Sequence, residues 1–148
     1  MPVTGDVPEH DHVVDTGKSE LTLDELGHVQ PGMARVMPEV GVRILKCFYA
    51  GKAKNKPLAA FQLKEAVNLM EMGVLLRPKY TDNMYKFIEE QVAVVKQAIE
   101  SEDWDKFELA FHEMVDQANA YHDLYDKPFL RWKIPDQPPP DLDMTPRG

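Results

Sequence analysis

Apolar residues recur at steps of three and four along four stretches of the chain, the spacing of amphipathic helices that face a shared core. The clearest stripe runs through Trp104, Phe107, Phe111, Met114, Ala118, Tyr121 and Tyr125. It breaks at Lys127-Pro128, and an extended strip from Phe129 to Pro135 follows. Upstream, Met33, Met37, Val40, Ile44, Cys47 and Gly51 mark a first long helix beginning between Pro31 and Pro38. If it begins at Pro31, Pro38 falls inside and kinks it. A polar connection from Gly51 to Lys56 leads to a second helix, with Asn55 placed to cap it. That helix carries Leu58, Phe61, Leu63, Ala66, Leu69, Met70 and Met72, and ends at Arg77-Pro78 or earlier at Gly73. Thr81 or Asp82 caps a third, with Tyr85, Ile88, Val92, Val95 and Ile99 as its stripe. Ser101, followed by Glu102 and Asp103, caps the fourth, the acids suiting the positive end of its dipole.

Four such helices with short connections predict an all-α fold, an antiparallel four-helix bundle over residues 23–137. Residues 1–22 are polar and read as a flexible N-terminal arm, with Leu21, Leu23 and Leu26 forming a short turn against the body. Residues 138–148 read as an extended, proline-rich C-terminal tail on the surface.

Charge and cysteine usage narrow the function classes. A formal net charge of −8 opposes nucleic acid and anionic membrane surfaces. No apolar run approaches the roughly 18 residues of a membrane span. The single Cys47 excludes an intrachain disulfide and a cysteine-rich metal site, and reads as a buried, inert thiol. The first twenty residues lack the basic and apolar regions of a secretory signal, so a cytoplasmic protein is expected. His10-Asp11-His12 has metal-chelating spacing but no third ligand in the sequence, and reads as solvated. The chain has no paired E-x-x-H, no H-E-x-x-H, no glycine-rich phosphate loop and no nucleophile motif.

Two blocks carry a resemblance. The first is Ala118-Asn119-Ala120-Tyr121-His122, then Pro128-Phe129 and Pro135. The second is Ala50-Gly51, Asn55, Pro57-Leu58-Ala59-Ala60 and Phe61. Together, over about residues 30 to 137, the chain resembles cytochrome c-prime-like proteins, four-helix bundles whose last helix ends in C-N-x-C-H followed by a Pro-Phe tail. Here both cysteines are replaced, by Ala118 and Tyr121, so haem c cannot be attached through thioethers. Ile44 stands where that family commonly has a histidine beside an arginine, here Arg43. The resemblance therefore implies a vacated haem site, rebuilt as apolar, and a homodimer paired through the first two helices.

His122 is the candidate around which the readings divide. It can be a packing histidine, a group lining a ligand pocket, or an axial ligand to non-covalent haem b with Met37 or Met33 opposite. The candidate ligand-binding residues are His122, Tyr121, Ala118, Tyr125, Met37, Ile44 and Met114, with Met70, Met72 and Met84 as further methionines suited to an adaptable apolar lining. The expected function is binding, with no cofactor, of a small apolar or aromatic molecule or of a partner protein. The alternatives are electron transfer through haem b, and a small enzyme using Tyr121 and His122 for proton transfer.

Overall fold

The structure is a computed structural model that describes residues 12–147. It divides after Pro31 into two compact units. In the first, strand β1 (Val13–Asp15) pairs antiparallel with β2 (Glu20–Thr22), Val13 opposite Thr22. The connecting turn needs Gly17, whose φ of 77° lies in the left-handed region, and the Asp15 carboxylate accepts from the Gly17 N–H. Thr22 then caps helix α1 (Leu23–Val29) by accepting from the Glu25 N–H. Residues 13–22 are thus a hairpin where an arm is expected, while His10 and Asp11 lie outside the described residues.

The second unit is helical: α2 (Met33–Lys52), α3 (Lys56–Leu76), α4 (Thr81–Phe87), α5 (Ala93–Glu100) and α6 (Trp104–Leu124). A π-helical turn, Ile88–Val92, joins α4 to α5 without a break in the helix. Helix α2 packs on α3 and α6, and α5 packs on α3 and α6, so these four close a ring around one core. Asn55 caps α3 as expected, its side-chain oxygen accepting from the Leu58 N–H. Pro38 lies inside α2, and α3 runs past Gly73 to Leu76. Helix α6 is capped by Asp103 rather than Ser101. Glu102 takes a left-handed φ of 55° that ends α5, and the Ser101 hydroxyl turns back to the Gln97 carbonyl. Neither Thr81 nor Asp82 caps α4; a 3-10 turn, Pro78–Tyr80, feeds it, and the Thr81 hydroxyl donates to the Pro78 carbonyl.

Where α2 ends and α6 begins, the core is filled by aromatic rings. Phe48, Phe107 and Phe111 pack as an aromatic cluster, Phe48 stacked on Phe107 and both tilted against Phe111. Gly51 admits the Phe107 ring, since a Cβ there would lie 2.2 Å from it. Cys47 is fully buried, and burial pushes its thiol pKa far above the ordinary value, so it stays protonated and inert.

Two stripes differ from their periodic reading. Phe61 is half exposed and lies under the Arg43 guanidinium, while the buried positions of α3 are Ala59, Gln62, Leu63, Ala66, Met70, Gly73 and Val74. Tyr85 faces outward, and Met84 and Phe87 take its place inside. The π-turn is the cause. Stepping back from Ile99, Val95 and Val92 with α-helical spacing reaches Ile88 and Tyr85, but the extra residue of a π-turn moves that face to Phe87, Met84 and Tyr80.

The chain after Pro128 is fastened to the helices. Asn119 makes a two-way clamp with the backbone of Trp132, donating to its carbonyl at 2.9 Å and accepting from its N–H at 2.7 Å. Farther on, the Tyr49 hydroxyl donates to the Pro135 carbonyl, Lys46 pairs with Asp141 at 2.7 Å, and Asn55 donates to the Met144 carbonyl.

Candidate ligand-binding cavity

A cavity of about 660 Å³ opens at the start of α2, the end of α3, the start of α4 and the end of α6. Local sequence explains the space. Where the other end of the core holds three phenylalanines, this end has Ala34, Gly41 and Ala118 on facing walls. The π-turn rotates Tyr80, Asn83, Met84 and Phe87 onto a third side, and Met70 supplies α3's part. Phe129, Leu130 and Trp132 of the C-terminal strap line the fourth side. Met33 and Met37 complete the α2 wall, so four methionines adjoin one space, an adaptable and almost wholly apolar lining.

Polar groups come from the last turns of α6, the start of α4 and Lys127, just past the end of α6. His122 Nδ1 lies 3.0 Å from the Leu130 carbonyl oxygen. A carbonyl only accepts, so Nδ1 carries the hydrogen and Nε2 holds the lone pair in the neutral ring. Burial pulls the His122 pKa below its usual value, the Leu130 bond opposes this, Arg131 lowers it and Asp123 raises it. The ring also meets Trp132 edge-on at 5.9 Å. Asn83 donates to the Tyr125 hydroxyl at 2.8 Å, and Tyr125 stacks edge-on against Tyr80 at 4.7 Å. Tyr121 is half-buried, with its ring edge-on to Phe87. The Arg131 guanidinium pairs with Asp123 and donates to the Asn119 carbonyl, which holds the strap at the cavity edge.

His122, Tyr121, Ala118, Tyr125, Met37 and Met33 all line this cavity. Ile44 and Met114 do not. Met114 sits in the closed core, and Ile44 borders a smaller space of about 260 Å³ on the other side of Gly41, Leu45 and Trp132. Both are about 1% exposed, because the four-three spacing that places them on the stripe points them at the packed half. Met70 and Met84, candidates for an adaptable apolar lining, do border the cavity; sequence reasoning misses Phe87 and Asn83, which the π-turn brings inward, and Leu130 and Trp132, which the Asn119 clamp positions. Among the described residues, no group of three potential metal ligands occurs, and no helix is long and apolar enough to cross a membrane. The chain matches no family model, no curated protein and no solved structure.

Proposed function

We propose that this chain is an antiparallel four-helix bundle that binds a small apolar or aromatic molecule in the cavity between α2, α4, α6 and the strap. On this reading it is a relative of cytochrome c-prime-like proteins in which the haem space is kept and the covalent attachment is lost. The observation that carries the proposal is the cavity itself. Its volume of about 660 Å³ lies within the range of roughly 300–1,000 Å³ typical of small-molecule sites. Its wall combines methionines and aromatics with a few polar groups at one end, as such sites do.

Thermal melts against a panel of small aromatics test this reading. A compound that binds the folded state raises Tm by mass action. Ala118→Trp, which fills the space from the α6 wall, removes the shift. If no compound in the panel moves the parent's melt, the cavity is not a site, and the surface is left for a partner protein.

One observation favours a second reading, non-covalent haem b. The Leu130 carbonyl fixes His122 so that Nε2 is the free nitrogen, the arrangement usual for a ligating histidine. Met33 and Met37 line the same cavity and would offer thioether sulfurs to the iron, so the residues present suit the group. When bound, haem b would supply a one-electron couple. A stable Soret band on haem addition that is lost in His122→Ala selects this reading; free haem in both proteins removes it.

A further inference from the structure

We infer that the ligand of this cavity is a hydroxylated hydrophobe, a phenol or an alcohol, whose O–H donates to His122 Nε2. The inference rests on the cavity being a binding site, as proposed above, and deepens it by naming the ligand's chemistry. The wall is apolar almost throughout, so the few polar atoms it offers decide what polar atom a ligand can bury there.

Three observations set the sense of that contact. His122 has spent its Nδ1 hydrogen on the Leu130 carbonyl, 3.0 Å away, so the neutral ring can only accept at Nε2. A ligand carbonyl, ether or nitrile set against this atom would put lone pair against lone pair. In α2, Pro38 has no N–H to give the Ala34 carbonyl four residues back, and both residues line the cavity. That carbonyl is therefore without its usual helical donor, a second acceptor on the helix that forms this wall. Tyr125, the C-cap of α6 and three residues beyond His122, already accepts from Asn83 at 2.8 Å and has its own O–H to give. A hydroxyl suits this set because it can donate to Nε2 and has lone pairs left to accept from a donor such as the Tyr125 hydroxyl. A carboxylate has no hydrogen for Nε2 and would have to pair with Lys127, the one cation among the described residues of the lining, while a bare hydrocarbon leaves the Nε2 acceptor unpaired.

Three naphthalenes substituted at the same carbon test the inference on the unmodified protein, by titration calorimetry: the naphthol, its methyl ether and the methyl compound. The naphthol should bind about tenfold more tightly than either of the others, the ratio expected for one well-formed hydrogen bond. In His122→Phe, which keeps an aromatic ring at the position, the methyl compound should still bind and the naphthol should lose its advantage. Equal affinity of all three would overturn the hydroxyl inference while leaving the apolar site standing. A methyl ether that binds as tightly as the naphthol would also overturn it, because the cavity would then be donating. Binding by none of the three would overturn both the inference and the binding site beneath it.

Discussion

Gly51→Ala and Gly73→Ala make the same chemical change in two helices and should have opposite results. Alanine is favoured over glycine in a helix interior by about 1 kcal/mol, so each variant begins with a gain of up to that size. What the new methyl meets decides the rest. At Gly51 it would lie 2.2 and 2.4 Å from two carbons of the Phe107 ring. That ring is 1% exposed and wedged among Phe48, Phe111 and Trp104, with nowhere to go. Overpacking of such a core costs about 1–3 kcal/mol or more, so Gly51→Ala should destabilise by roughly 1–2 kcal/mol net. At Gly73 the methyl would lie 2.8 Å from Met33 Sδ, the flexible end of a side chain that borders the cavity. Met33 can turn into that space, so the clash is relieved and the propensity gain survives. Gly73→Ala should therefore leave stability unchanged or raise it by up to about 1 kcal/mol. Urea unfolding at equal m-values reads both. If Gly73→Ala loses as much as Gly51→Ala, Met33 has no room to move and the cavity is closed in solution.

Other outcomes follow from the same geometry. Tyr121→Ala should cost well under the roughly 3–5 kcal/mol expected for Phe111→Ala, because Tyr121 is half-buried at the edge of an open space and Phe111 is fully enclosed; equal losses by denaturant unfolding would make Tyr121 a plug. Asn119→Ala removes both bonds to the Trp132 backbone and should cost about 1–3 kcal/mol. Trypsin should then cut after Arg131 and Lys133 faster than in the parent, and an unchanged cleavage rate would contradict the clamp. Acidification should destabilise the parent more than His122→Gln. Burial lowers the folded pKa of His122, so the unfolded chain takes up the proton first, and stability falls as pH drops below about 6.5 toward the folded value. Melts of the two proteins that run parallel between neutral pH and pH about 5 would remove this contribution.

Helix existence was legible in the periodicity, and so was part of the cavity wall. The α6 stripe carries both the closed core, at Phe107 and Phe111, and the cavity wall, at Ala118, Tyr121 and Tyr125. What periodicity could not carry is a change of period. The π-turn at Ile88–Val92 has no composition signal of its own, so Tyr85 reads as inward while Phe87 occupies the core. Ile44 reads as a site residue from its place in the resemblance and Met114 as an adaptable methionine, yet stripes as long as those of α2 and α6 span a packed end and an open end, and both residues fall in the packed one. The strap is a tertiary feature. Nothing in the Phe129–Pro135 sequence reveals that Asn119 hydrogen-bonds Trp132 and so sets two aromatic rings against the cavity. Ser101 fails as a cap for a local reason, the left-handed Glu102 that moves the helix start to Asp103.

The central claim is that a small apolar molecule enters the space bounded by four methionines, and those methionines can report it directly. In protein labelled at the methionine methyls, titration with the naphthol should shift the signals of Met33, Met37, Met70 and Met84, which line the cavity. Met114, enclosed in the packed core, and Met72, 39% exposed on α3, should stay in place. Saturable shifts confined to the first four place the ligand in the cavity. No shifts at saturating naphthol, or movement of Met72 alone, would contradict the account.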